Sequence, residues 1–123
     1  MVTVTALTKE DADACPVRNV LVRITGKWQV LILLALRDQS LRFGELKRTI
    51  GDVTQRVLTE NLRTLERDGY LTRTVHTGSP VAVSYALTDA GVAVGDLLLP
   101  LVTWAGENAG AIAERREAYD ATA

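Results

Sequence analysis

Three residues, Gly51-Asp52-Val53, separate two amphipathic stretches in the middle of this 123-residue chain. That spacing limits the possible folds more than any other feature. Upstream, Phe43, Leu46 and Ile50 recur at helical intervals. Gly51 then suits the residue just past a helix end, where a positive φ is favoured, and Asp52 falls in the turn. Downstream, Thr54 is a good N-cap, and Val53 before it is placed to pack on Leu58 as a hydrophobic staple. Leu58, Leu62 and Leu65 share one face of the helix that follows, which ends near Gly69. Arg56, Glu60, Arg63 and Arg67 fall on the opposite face. Two helices joined by so short a turn make a helix–turn–helix.

The flanks extend this unit. Pro16 opens a first helix at its favoured first-turn position, with Cys15 as N-cap and Val17, Val20, Leu21 and Ile24 at helical spacing. Gly26 interrupts. A second helix from about Lys27 to Arg37 is apolar on most sides and belongs at the centre of a core. Beyond Gly69, Tyr70–Thr77 is rich in Thr and Val. Val81, Val83, Tyr85 and Leu87 alternate with Ala82, Ser84 and Ala86, as in a half-buried strand. Gly78-Ser79-Pro80 joins these two runs into a hairpin. Thr88 caps a long last helix, which Pro100 is expected to kink or interrupt. Residues 107–123 are helical by propensity and expected to fray at the end. The fold class is α+β, mainly α: a winged helix-turn-helix with a two-stranded wing and extra N- and C-terminal helices. The expected divisions are an arm at 1–14, one domain at 15–106 and a helical extension or tail at 107–123.

Composition excludes several functions. Hydrophobic residues are 47% of the chain and charged residues 24%, a balance that excludes disorder throughout. One cysteine makes neither an internal disulfide nor a structural zinc site. The longest apolar run, Val30 to Leu36, is too short to span a bilayer. The N-terminal residues lack a basic region followed by an apolar one, so the expected location is cytoplasmic, with no membrane partner. With a single histidine, a nucleophile–His–carboxylate triad would have to use His76 on the wing. No glycine motif for phosphate and no ligand cluster for a metal is present, so the chain is expected not to be an enzyme and to need no cofactor.

The net charge of −1 conceals a division. Residues 15–80 carry eleven Lys and Arg against six acids, whereas both ends are acidic. A local basic field attracts an anion whatever the total charge. Double-stranded DNA is the partner that suits a helix–turn–helix with such a field, because phosphate neutralisation dominates affinity and base edges are read from the recognition helix. On that helix Thr54, Gln55, Arg56, Thr59, Glu60 and Arg63 lie at its start or off the core face. Arg suits guanine and Gln suits adenine. Glu60 either accepts from cytosine or holds Arg56 or Arg63 in place. A solvated charged face is the alternative to all of this. Arg42 and Phe43 open the third helix, and Lys27 opens the second, where free N–H groups and a cation suit a phosphate. The wing adds Arg73, Thr77 and Ser79 near its turn, with Arg73 and His76 on opposite faces. Trp28 reads as core.

The ordered set of phrases from Cys15 to about Trp104 resembles the HxlR-type winged helix regulators, relatives of the MarR superfamily. It comprises Cys15-Pro16, Gly26-Lys27-Trp28, Arg42-Phe43-Gly44-Glu45-Leu46, Thr54-Gln55-Arg56-Val57-Leu58-Thr59, Leu65-Glu66-Arg67-Asp68-Gly69-Tyr70-Leu71 and Ser84-Tyr85-Ala86-Leu87-Thr88-Asp89-Ala90-Gly91. The resemblance implies a homodimeric bacterial transcription factor on a pseudo-palindromic operator. Its dimer contacts would come from the first and last helices: Val17, Val20, Leu21, Leu97, Leu98, Leu101 and Trp104. Several such regulators sense oxidants or electrophiles through a cysteine at the position of Cys15. A helix N-terminus favours a thiolate, so that role has a physical basis. The competing reading is that the Cys-Pro cap simply packs well. A small apolar or aromatic ligand between the winged domain and the dimer helices, lined by Leu97, Leu101 and Trp104, is a second signalling route. The same residues also suit plain dimer core. A winged helix that docks proteins is the remaining rival to DNA binding.

Overall fold

Leu58, Leu62 and Leu65 are all buried, and the rest of the chain is arranged around them. The computed structural model describes residues 16–122. In chain order the elements are α1 (Pro16–Ile24), α2 (Lys27–Ala35), β1 (Leu41–Arg42), α3 (Phe43–Ile50), α4 (Gln55–Arg67), β2 (Leu71–His76), β3 (Ala82–Leu87) and α5 (Asp89–Thr122). The expectations for the arm at 1–14 and for Cys15 as N-cap fall outside the described residues.

The core joins Ile32, Leu33 and Leu36 at the end of α2 to Leu46 of α3, the three leucines of α4, and Val53 of the turn. Leu41, Leu71 and Tyr85 close it from the sheet, and Leu98 closes it from α5. Trp28 is half-buried against the same cluster, in keeping with its reading as core. The helix–turn–helix forms for the reasons visible in its residues. Gly51 takes φ 98°, outside the range most residues tolerate. The Thr54 hydroxyl accepts the Val57 N–H at 3.2 Å. Val53 and Leu58 lie in the same buried cluster, as a staple requires.

Three expectations need correction. The wing hairpin of β2 and β3 is present, but the sheet has a third strand, in the order β1-β3-β2. Leu41 pairs with Tyr85 and Arg42 with Ser84. Two residues are too few to show a period, so β1 left no trace in the sequence pattern. Helix α2 stops at Ala35, short of Arg37. Arg37 instead reaches α5, donating from Nε at 3.0 Å and Nη2 at 2.7 Å to Asp96 Oδ1. Finally, of the kink or interruption expected at Pro100, the interruption does not occur: α5 continues through it to Thr122. A proline removes one N–H from the ladder, and the bonds on either side are enough to carry this helix past it.

At 34 residues α5 is about 50 Å long. By length and composition it is apolar enough to cross a bilayer, a property shared with long core helices. Only Gly91, Gly95 and Leu98 of α5 are buried, so most of the helix stands clear of the domain. Helix α1 buries no residue at all.

Candidate nucleic-acid interface

The inward leucines of α4 leave Gln55, Arg56, Glu60 and Arg63 exposed on its outer side. Thr59 is half-buried and spends its hydroxyl proton on the Gln55 carbonyl at 2.8 Å. Arg56 Nε lies 3.1 Å from Glu60 Oε1, one helical turn away. Glu60 therefore holds Arg56 rather than Arg63. Arg63 enters no ion pair among the described residues. Between α2 and α4, the Gln29 amide donates to Asn61 Oδ1, and Asn61 Nδ2 donates to the Val57 carbonyl at 2.8 Å. This half-buried polar link fixes how α4 lies across α2.

The sheet supplies the second wall. Arg73 sits opposite Tyr85 in the β2–β3 register. Leu71, Arg73 and Tyr85 share the inner face, which is apolar at its base. Towards the tip that face separates from α4 and leaves an open groove of about 500 Å³. Phe43, Gln55, Thr59, Arg63 and Glu66 line one side of the groove, and Arg73, Val83 and Tyr85 line the other. Two arginines from separate elements, Arg63 and Arg73, thus line one groove, with the acid Glu66 beside them. His76 lies on the outer face of the wing, as the alternation predicts, with Nε2 2.7 Å from Ser84 Oγ. Thr77 and Ser79 are exposed at the tip.

The remaining cations stand outside the groove. Arg42 is the exposed N-cap of α3, but Glu45 Oε1 already accepts its backbone N–H at 2.9 Å. Its guanidinium and the first-turn N–H groups of α3 are what remain to meet a phosphate. Lys27 Nζ lies over the Trp28 ring, 4.4 Å from its centroid, and 4.0 Å from Asp52 Oδ2. It braces the turn between α3 and α4. Glu66, Val83 and Tyr85 were not among the sequence candidates. Glu66 follows Gln55, Thr59 and Arg63 at helical spacing, so extending that face by one turn would have found it.

The proposed association residues divide. Val20 and Leu21 on α1 are exposed. On α5, Leu97, Leu101 and Trp104 are 76%, 60% and 53% exposed along one stripe. Val17 is half-buried. Leu98, by contrast, is only 6% exposed and belongs to the core of its own chain, so it has no free surface for a partner. Its place one residue from Leu97 turns it to the other side of the helix. Among the described residues no group of His, Cys, Asp and Glu is placed to hold a metal ion.

Known proteins share this fold. The family model described as HxlR-like helix-turn-helix matches residues 23–113. The HTH-type transcriptional regulator YtfH of Escherichia coli is 42% identical over 93 residues, covering 76% of this chain and 74% of its own. The solved structure of the regulator ytfH from Salmonella typhimurium superposes with a TM-score of 0.81 at 40% identity, over 86% of this chain and 95% of the other. The redox regulator HypR in its oxidized form matches with a TM-score of 0.71 at 37% identity, over 76% of this chain and 97% of its own.

Proposed function

Because the chain belongs to the HxlR-like helix-turn-helix family of transcriptional regulators, we propose that it works as a homodimer in the cytoplasm on a pseudo-palindromic operator. The observation that carries this reading is the convergence of Arg63 and Arg73 on the groove between α4 and the wing. Two arginines that line one groove suit the phosphate backbone. Arg56, steadied by Glu60, then projects from the first turn of α4, where recognition helices meet base edges. Gln55 beside it suits adenine. Lys27, Arg42, Phe43, Thr54, Thr59, Thr77 and Ser79 complete the contact surface. Strong salt dependence of DNA binding separates this reading from a protein-docking role, because phosphate contacts release counterions.

The exposed stripes of α1 and α5 support the dimer. Apolar patches of this kind call for cover, and a second copy supplies the same stripe in return. A two-fold dimer sets its two α4 helices about 34 Å apart or a multiple of that. Cys15 is the proposed sensor of oxidants or electrophiles, and the likeness to the redox regulator HypR supports it. With one cysteine per chain, oxidation gives an intersubunit disulfide, a mixed disulfide or a sulfur oxyacid.

The test is a gel shift on the DNA upstream of its own gene, with excess random competitor, with and without diamide, and with Cys15→Ser alongside. A selective shift, lost on oxidation in the native protein only, is the expected result. A shift that ignores oxidant removes Cys15 as the switch and turns the search to ligands. Absence of selective binding there and in a random-sequence selection would overturn the DNA reading.

A further inference from the structure

Asp68 breaks two local rules at once. It is the C-cap of α4, where the helix dipole disfavours a negative charge. Its Oδ2 is also buried and accepts no hydrogen bond among the described residues. One opposite charge offsets both costs: Arg23 Nη1, in the last turn of α1, lies 3.6 Å from that oxygen. Local rules broken in one place with a single compensation mark a position held for something other than stability.

The surroundings indicate what that is. Residues 68–70 are where four elements meet. Tyr70 N–H reaches the Leu65 carbonyl at 3.0 Å and Gly69 N–H reaches that of Glu66 at 3.0 Å, which closes α4 in a Schellman turn. Strand β2 starts at the next residue. Thr88, before α5, donates its hydroxyl to the Gly69 carbonyl at 2.6 Å and its N–H to the Tyr70 carbonyl at 3.0 Å. Helix α5 is therefore bonded firmly to the junction. Helix α1 is not. A recess of about 250 Å³, lined by Asn19, Val20, Arg23, Asp68 and Tyr70, separates it from the junction, and the ion pair spans that recess.

We propose that Arg23 is a positioning residue: its pair with Asp68 fastens α1 to the C-terminal end of the recognition helix and sets the angle at which α4 stands to the wing. The tie connects the association surface to the DNA-reading surface. This inference rests on the DNA-binding reading for its consequence, but not for its geometry. An event that shifts α1, at its own start or in the dimer, reaches the end of α4 through this polar contact, which breaks more readily than packed apolar surface.

The experiment compares the full chain with Arg23→Gln, Asp68→Asn, the double variant and the conservative Arg23→Lys. Operator affinity is measured at a concentration where light scattering gives all five the same oligomeric state. Each single neutral variant should bind about five-fold more weakly. The double should lose no more than either single, and Arg23→Lys should retain most of the affinity. Asp68→Asn should keep or raise the melting temperature, since it relieves the helix end. A loss of affinity with an undiminished fold is what positioning gives and a merely structural role does not. Wild-type affinity in the single variants, or losses that add in the double, would overturn the proposal. Amide exchange across residues 64–70, measured without DNA, should quicken in Arg23→Gln. If the native chain proves not to bind DNA selectively, exchange alone decides, and unchanged protection there overturns the tie.

Discussion

Helices α4 and α5 both turn one side to the core and leave the other uncovered by their own chain, yet the two uncovered sides differ in kind. On α4 the free side carries Gln55, Arg56, Glu60 and Arg63. Water solvates such a surface well, and its charge attracts an anion without demanding one. On α5 the free side carries Leu97, Leu101 and Trp104. Water gains nothing from that stripe, and burying it in a second copy is favourable at about 25 cal/mol per Å². The free side of α4 is therefore at ease in water, whereas the apolar stripe of α5 is left uncovered by its own chain. The inner sides differ as well. Helix α4 docks through leucines, but α5 docks partly through glycines, because backbone must come close. An added Cβ at Gly91 would lie 2.0 Å from the Tyr70 carbonyl oxygen.

The contrast breaks most sharply on the inner sides. Leu62→Ala empties a site that is 2% exposed and should cost about 2–5 kcal/mol in chemical denaturation. A cost below 1 kcal/mol would mean that α4 does not rely on its leucines. Gly91→Ala should cost about 1–3 kcal/mol, because the atom in the way is backbone and cannot rotate aside. Gly106→Ala on the same helix meets nothing within 4 Å. It should instead stabilise by about 0.5–1 kcal/mol, through helix propensity alone. Opposite signs in the two thermal melts would show where the docked part of α5 ends.

The outer sides are separated by binding. Arg56→Ala should cost about 1–3 kcal/mol on the operator and relax base preference, while random DNA is bound almost as before. Arg63→Ala should weaken both DNAs alike and lower the salt slope by about 1, as a lost phosphate contact does. Equal losses for the two variants on every DNA would make Arg56 a backbone contact too. Leu101→Ala should leave the melting of the isolated domain nearly unchanged and raise the dimer dissociation constant, read by sedimentation. A dimer of native strength would show that the stripe of α5 is covered by something else.

How much of this was legible in the residues depends on how far each feature reaches along the chain. Both sides of α4 follow from one helical period, and Thr54, Val53 and Gly51 bound it with local chemistry. The stripe at Leu97, Leu101 and Trp104 is legible for the same reason. So is the opposition of Arg73 and His76, which needs only strand alternation. Strand β1 was not legible, because its two residues gain meaning only from pairing with Tyr85 and Ser84. Nor was the course of α5 through Pro100, since proline breaks helices on average and the neighbouring turns decide the case. The groove was half legible. Each arginine was visible as a cation, but that Arg63 and Arg73 line one groove depends on the wing folding back towards α4. The pair of Arg23 with Asp68 joins α1 to the end of α4, and no local pattern announces such a contact.

The smallest effect tests the finest part of the comparison. Glu60 is an acid on a surface offered to an anion, and its presence there looks unfavourable until its partner is considered. It holds Arg56 at 3.1 Å in a pair exposed on both sides. Such a pair adds only about 0.3–0.5 kcal/mol to a helix, so Glu60→Gln should scarcely move the melt. Its repulsion of DNA should also fall, which alone would strengthen binding to every sequence. If Glu60 exists to orient Arg56, affinity for random DNA should rise while discrimination between operator and random DNA falls. The two changes have opposite signs, so a pair of titrations separates them. A rise on both DNAs in equal proportion would show that Arg56 needs no holding, and that the acid serves only the helix.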